Sequence, residues 1–161
     1  MSRTNTLTAE DLTLQPTPKQ RILVATDNSE PAKRALAAAA LLAKQPDAEL
    51  IIVNVEQGRL DDDLEQFRFA ENATVGDILE QRSGEILTRA QSVAQALGVR
   101  RIRTEAGLGD AAGFILQVAK REHVDMIVVG RRGRSRITGL LIGSVSQRIV
   151  TTAPCKVLVV P

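Results

Sequence analysis

The 161-residue chain has no tryptophan, no tyrosine and only three phenylalanines. Without aromatic rings, a core has to be filled by Leu, Ile, Val and Ala, which suits the close packing of helices on a sheet. The same absence argues against a protein that stacks successive bases of a single nucleic-acid strand on aromatic side chains. With 43% hydrophobic and 25% charged residues, the composition is typical of one folded globular domain.

The chain also has only one cysteine, Cys155, and one histidine, His123. A single cysteine cannot form a disulfide within the chain, and a single histidine argues against a Cys/His zinc site or a Ser-His-Asp triad. There is no apolar run of about 18 residues, and the N-terminal segment lacks the apolar stretch of a signal peptide. We therefore expect a cytoplasmic protein with no membrane segment, an inert Cys155 and a surface or helix-end His123.

Acidic residues are missing from the last quarter of the chain. Residues 126–161 carry 6 basic and no acidic side chains, whereas residues 1–125 carry 15 basic and 19 acidic ones. Unopposed positive charge indicates either contact with an anion or a solvated basic face.

Hydrophobic periodicity divides the chain into alternating strands and helices after a polar, flexible tail at residues 1–19. Short β-branched runs, typical of strands buried on both faces, occupy residues 21–26, 49–55, 101–106, 125–130 and 156–160. Helical spacing covers residues 32–44, 78–97, a segment that follows Gly109-Asp110, and 144–152. Such alternation requires right-handed crossovers and a parallel sheet covered by helices on both faces. We predict one doubly wound α/β domain over residues 20–161.

In a doubly wound sheet, ligands bind beyond the carboxyl ends of the strands, where the strand order reverses. Three loops of this chain meet that description. Asp27 follows the first strand, residues 54–56 end the second, and residues 130–143 follow the fourth. Asp27 is open to two interpretations, a ligand contact or a helix cap, and Asn28 or Ser29 could supply the cap instead.

The loop after the fourth strand has features of a phosphate site. Gly130 and Gly133 precede nine residues that lead to Gly143-Ser144, where the last predicted helix begins. Glycine lets a ligand approach the backbone and allows positive φ, and the free amides of a helix N-terminus bind phosphate oxygens. The loop also carries arginines at positions 131, 132, 134 and 136. It matches neither a Walker A loop, because no lysine precedes Ser144, nor the dinucleotide G-x-G-x-x-G, which is missing after the first strand.

These residues resemble the nucleotide signature of the universal stress protein family, G-x2-G-x9-G-[S/T], in its ATP-binding subgroup. Gly130, Gly133, Gly143 and Ser144 match that signature, and ILVATDNS at residues 22–29 and APCKVLVV at residues 153–160 support it. The resemblance covers about residues 19–161. It implies a Rossmann-like five-stranded sheet of order 3-2-1-4-5, bound ATP with Mg²⁺ or Mn²⁺, and a homodimer paired through the final strand, Val157 to Val160.

Carried over residue by residue, the resemblance places Asp27 on the ribose and the backbone groups of Val55 on adenine. It places Gly130 against the ribose, and the phosphates on the residues around Gly133 and Gly143. The full set of nucleotide-binding residues that it implies is Ala25, Thr26, Asp27, Val55, Val129, Gly130, Arg131, Arg132, Gly133, Gly143, Ser144 and Val145.

The sequence departs from the family pattern at three places, none of which removes a phosphate contact. Lys156 stands where relatives usually have proline, Asn54 where many have histidine, and Ala111 follows Gly109-Asp110 where proline is usual. The acidic segment 56–77 is variable in the family, so its role stays open.

The sequence therefore predicts an ATP-binding regulatory protein of the stress response. The alternative is a slow ATPase or self-phosphorylating enzyme that uses the same site. For that alternative, Glu56 is the acidic residue nearest the loops that could activate a water. Ser135 and Thr138 are possible phosphoryl acceptors, although ordinary loop hydroxyls are the favoured interpretation. A solvated loop is likewise favoured over a cation site for Asp61 to Asp63. A nucleic-acid module is disfavoured, because the chain has no recognised reading motif.

Overall fold

The computed structural model describes residues 18–57, 74–133 and 141–161, and within these ranges it has five strands and four helices. The strands are β1 (Gln20–Ala25), β2 (Ala48–Glu56), β3 (Ile102–Leu108), β4 (Met126–Gly130) and β5 (Lys156–Val160). The helices are α1 (Glu30–Leu42), α2 (Val75–Ala96), α3 (Ala111–Arg121) and α4 (Ser144–Thr152). Every predicted element is present. None of the described helices is long and apolar enough to cross a membrane. Nearly all of the predicted tail and most of the acidic segment 56–77 lie outside the described residues.

The sheet confirms the doubly wound prediction. All five strands are parallel and lie in the order β3-β2-β1-β4-β5. The chain winds from β1 outward to β2 and β3, and then crosses to the other side of β1 to add β4 and β5. The order therefore reverses between β1 and β4. The helices that follow these two strands lie on opposite faces of the sheet, which leaves a crevice beyond the carboxyl ends of the strands.

Each face of the sheet buries its own apolar cluster, because side chains alternate between the faces along a strand. On one face, residues such as Val24 and Ile52 pack against α1 and α2. On the other face, residues such as Leu23 and Ile51 pack against α3 and against Ile149 of α4. The contacts of α1 are made mostly by alanines, namely Ala35, Ala39 and Ala40, and by Ala43 at its C-cap. Small side chains bring the helix close to the sheet, so this core needs no aromatic ring.

Two helices end in the same way, with a left-handed residue just beyond the last turn. After α2, Gly98 has φ 92° and its N–H donates to the Gln95 carbonyl. After α3, His123 has φ 51° and its N–H donates to the Lys120 carbonyl. Gly98 therefore ends its helix, since glycine adopts this left-handed conformation without strain. His123 is exposed at a helix end, beside the amino-terminal ends of the strands and opposite the crevice.

A chain of ion pairs lies near the amino-terminal ends of the strands, opposite the crevice. Arg103 of β3 contacts Glu49 at 3.0 Å and Glu122 at 2.6 Å. Arg121 contacts Glu122 at 2.8 Å and Glu105 at 2.6 Å. Hydrogen bonds from Arg103 and then from Arg121 lower the pKa of Glu122 to about 2. The network ties the end of α3 to the first residues of β2 and β3.

We expect Glu122→Gln to lower stability near neutral pH and to make stability less sensitive to acid. The pKa of this carboxyl is about 2 in the folded protein, against 4.5 for an unperturbed glutamate. Its contribution is therefore complete above pH 4.5 and is lost as the pH falls toward 2. Denaturant unfolding at a series of pH values should show the largest difference between the two proteins near neutral pH, and convergence in acid. A difference that is independent of pH, or equal to that of the exposed-site control Glu80→Gln, would contradict this prediction.

Candidate functional site

A cavity of about 320 Å³ opens at the point where the strand order reverses, beyond the carboxyl ends of β1, β2 and β4. We call it the switch-point cavity. Its volume lies within the range of small-molecule sites. All but two of the residues implied by the resemblance line it, and these are Ala25, Thr26, Asp27, Val55, Gly130, Arg132, Gly133, Gly143, Ser144 and Val145.

The two remaining residues, Val129 and Arg131, lie elsewhere. Val129 is 3% exposed and belongs to the apolar cluster between the sheet and α3. The Arg131 side chain is exposed, but its backbone makes two bonds. Its N–H donates to the Val160 carbonyl at 2.6 Å, and its carbonyl accepts from the Gly143 N–H at 2.8 Å. Arg131 therefore links the end of β5 to the start of α4 without lining the cavity.

Several lining residues carried no role in the sequence-based assignment, and these are Ala32, Val53, Gln57, Arg82, Ala111, Ile115 and Ser146. Ala111 and Ile115 belong to the first turns of α3, which begins at the same edge of the sheet. The chain topology could have identified them. Arg82 lies inside α2, far from any strand end in sequence, and only the packing of α2 brings it to the cavity.

The part of the cavity between β2 and α3 is aliphatic. Val53 and Val55 of β2 line it on one side, and Ala111 and Ile115 of α3 line it on the other. The described lining contains no aromatic side chain, so a flat ring bound here would be held by aliphatic contacts and by backbone groups.

Ser29, and not Asp27, caps the N-terminus of α1. Ser29 occupies the N-cap position of α1, and its Oγ accepts from the Ala32 N–H at 3.4 Å. Asp27 is not the cap, although its Oδ1 accepts from the Ser29 N–H at 3.0 Å. The Asp27 carboxylate lies in the lining of the switch-point cavity, close to Gly133.

At Gly130 and Gly133, but not at Gly143, a side chain would lack space. The freedom of glycine to adopt positive φ is not used here, because Gly130, Gly133 and Gly143 all lie outside that region. A Cβ at Gly130 would lie 2.8 Å from the carbonyl carbon of Pro31, in the first turn of α1. A Cβ at Gly133 would lie 2.7 Å from Asp27 Oδ2. A Cβ at Gly143 would meet nothing closer than 3.4 Å, which is an ordinary contact.

The start of α4 forms the other end of the cavity. Its N-cap is Gly143, which has no side chain to cover the first turn, and Ser144, Val145 and Ser146 all line the cavity. The Ser146 hydroxyl donates to the Gly130 carbonyl at 2.7 Å and fastens the helix to the end of β4. The first amides of a helix have no partner within the helix and carry its positive dipole end, so an anion is favoured here.

Of the loop arginines, Arg132 lines the cavity. Arg131 does not line it, and Arg134 and Arg136 lie outside the described residues, as do the hydroxyls of Ser135 and Thr138. The same holds for the acidic run Asp61 to Asp63.

Glu56 lies at the β2 side of the cavity. Its side chain is 7% exposed, and its Oε2 lies 3.6 Å from Nη2 of Arg82. Because β1 separates β2 from β4, the ends of those two strands are about 10 Å apart. Glu56 therefore lines the cavity beside α2, two strands away from the strand that leads to α4.

Cys155 lies away from the cavity, just before β5, and packs against the apolar cluster on the α3 face. Its burial raises the pKa of the thiol and keeps it in the less reactive neutral form. Within the three described ranges, no group of three His, Cys, Asp or Glu side chains could hold a metal ion.

Comparison with known proteins points to one family in both sequence and fold. The profile of the universal stress protein family matches residues 19–161. A universal stress protein of Methanocaldococcus jannaschii is 31% identical over 145 residues, which cover 88% of this chain and 81% of the relative. A universal stress protein solved in complex with cAMP has a TM-score of 0.66 at 26% identity, covering 88% of this chain and 95% of that one. The universal stress protein from Archaeoglobus fulgidus, solved in complex with dAMP, has the same fold, with a TM-score of 0.66 at 20% identity over 90% of this chain and 100% of that one.

Proposed function

Because the chain belongs to the universal stress protein family, we propose that it binds ATP in the switch-point cavity and acts as a nucleotide-dependent regulatory protein in the stress response. One observation carries the proposal. A single cavity has the open amides of α4 at one end and an aliphatic slot beside the β2 backbone at the other. The first end suits phosphate groups and the second suits an uncharged base. Nucleotides bound to the two related structures support this interpretation.

The phosphates would lie against the first turn of α4. Its amides, the Ser144 hydroxyl and the Arg132 side chain all belong to the lining at that end. Because Gly133 and Gly143 have no side chains, the phosphates would meet bare backbone on both sides of the loop. Amides and a guanidinium together neutralise phosphate charge by hydrogen bonding and by the helix dipole.

The ribose would lie between Asp27 and Gly130. A carboxylate is a pure acceptor, and ribose hydroxyls are donors, so Asp27 suits this position. The base would lie in the slot between β2 and α3. There, the backbone of Val55 would offer an N–H and a carbonyl, which complement the ring nitrogen N1 and the exocyclic amino group of adenine.

The described residues do not form a metal cage, and Asp27 is the carboxylate nearest the phosphate end. A Mg²⁺ or Mn²⁺ ion would therefore be held chiefly by phosphate oxygens and water, which is the usual mode for Mg²⁺ on nucleotides. Such an ion would neutralise phosphate charge. The protein's part is to hold the phosphates at α4.

We also propose that two copies pair through β5. This strand forms one edge of the sheet, and Leu158 at its centre is 36% exposed. An edge strand presents unpaired backbone groups that can pair with a second copy. A single-chain molar mass by light scattering at micromolar concentration would contradict this pairing.

The nucleotide proposal is tested by the ligand content of the purified protein and by calorimetric titration with ATP. We expect adenine nucleotide in the denatured extract, and we expect Asp27→Ala to weaken ATP binding about tenfold or more, because it removes a charged acceptor. Asp47→Ala is the matched control, since Asp47 lies at the opposite edge of the sheet, before β2. Unchanged affinity in Asp27→Ala would contradict the site assignment, and absence of ATP binding by the parent protein would contradict the function.

A further inference from the structure

Asn54 is a buried polar side chain at the end of β2, 1% exposed. Its amide Nδ2 donates to the Thr26 carbonyl at 2.7 Å, and its Oδ1 accepts from the Ser83 hydroxyl of α2, also at 2.7 Å. These two bonds fix the orientation of the amide, with its nitrogen toward β1 and its oxygen toward α2. A buried amide costs free energy unless it is bonded in this way, so the arrangement is well determined.

The amide binds at the point where the hydrogen-bond ladder between β1 and β2 ends. The ladder is regular up to the Thr26 N–H, which donates to the Val53 carbonyl at 2.8 Å. In a regular parallel ladder, the Thr26 carbonyl would next accept from the Val55 N–H. It accepts instead from the Asn54 side chain, and among the described residues no backbone hydrogen bond joins Val55 to Thr26.

The backbone N–H and carbonyl of Val55 point to the β1 side of β2, where the cavity lies. Along β2, alternate residues bond to opposite neighbours. Glu56 bonds on the β3 side, through the Gly109 N–H, whereas Val53 bonds on the β1 side, through Thr26. Val55 follows Val53 in this alternation and points to the β1 side, but β1 has already ended at Ala25. Both Val55 and Thr26 line the cavity at this place.

We infer that Asn54 is a positioning residue for base recognition, because it occupies the Thr26 carbonyl and thereby leaves the Val55 N–H for a ring nitrogen of the bound base. The inference rests on the proposed nucleotide site and adds the residue that makes the site selective. Without the Asn54 amide, the Thr26 carbonyl and the Val55 N–H are each other's natural partners. The ladder would then extend by one hydrogen bond, and the Val55 N–H would no longer be available to the base.

The test compares ATP with 1-deaza-ATP, in which a C–H group replaces the ring nitrogen N1. We expect the parent protein to bind the deaza analogue about tenfold or more weakly in calorimetric titration, since one hydrogen bond to the base is lost. The Asn54→Leu variant should bind ATP only as weakly as it binds 1-deaza-ATP, so that it no longer discriminates between the two ligands. Ser83→Ala is the control. It removes the other bond of the same amide and should keep most of the discrimination even if stability falls.

The outcomes separate the inference from the function on which it rests. Failure of the parent protein to bind ATP would remove the proposed function itself. Equal binding of ATP and 1-deaza-ATP by the parent protein would overturn the inference while leaving ATP binding intact. Discrimination retained in Asn54→Leu would overturn it too, as would an equal loss in Ser83→Ala. If Asn54→Leu does not fold, Asn54→Ser, whose side chain is too short to span the same distance, gives the same comparison.

Discussion

Gly130→Ala is expected to lower the free energy of unfolding by about 2–3 kcal/mol, because the new methyl group would overpack a contact between two backbones. The Cβ would lie 2.8 Å from the carbonyl carbon of Pro31 and 3.0 Å from the nitrogen of Ala32. Backbone atoms in the first turn of a helix cannot rotate aside as a side chain can. The whole of α1, whose alanines are packed closely on the sheet, would have to move away from β4.

Thermal and denaturant unfolding measure this effect, with a fall in Tm of about 5–10 °C expected for a domain of this size. Gly143→Ala is the matched control, since its Cβ has only ordinary contacts at 3.4 Å and beyond. If the two variants lose the same stability, the contact with α1 is not what requires glycine at position 130.

Gly133→Ala is expected to weaken ATP binding about tenfold or more while changing stability little. A Cβ at position 133 would lie 2.7 Å from Asp27 Oδ2, so the carboxylate would have to turn away from its place in the cavity. The displaced group is the end of a side chain on the surface of a cavity and not part of the core. The fold should therefore accommodate the change, whereas the contact between Asp27 and the ribose should be lost.

A double-mutant cycle shows whether the loss runs through Asp27. If Gly133→Ala acts by moving that carboxylate, it should cost little in an Asp27→Ala background, and the two effects should be far from additive. Full additivity in calorimetric titrations with ATP would mean that the methyl group obstructs the nucleotide directly.

Much of the fold could be predicted from the sequence, because each buried strand is a short β-branched run and each helix shows apolar periodicity. The last helix and the last strand have the predicted bounds, at residues 144–152 and 156–160. The family resemblance supplied the strand order, which local patterns do not contain. The position of Asp27 at the cavity followed from the rule that ligands bind where the order reverses.

The remaining features depend on packing between distant segments. Arg82 reaches the cavity only because α2 lies across β2, and nothing in the local sequence of α2 indicates it. A glycine spacing also does not reveal why glycine is present. At Gly130 the reason is the approach of Pro31, about 100 residues away in the chain, and at Gly133 it is the Asp27 carboxylate. The resemblance also implied Val129 and Arg131 as binding residues, but the Val129 side chain enters the core and the Arg131 side chain faces solvent.

The aliphatic core has an optical consequence. With no tryptophan or tyrosine, the protein is nearly transparent in the near ultraviolet, and its few phenylalanines absorb only weakly there. A purine bound between β2 and α3 would dominate the absorption spectrum of the purified protein. The absorbance of the material leaving a gel-filtration column therefore reports the amount of bound nucleotide directly, without a label and without a protein background to subtract.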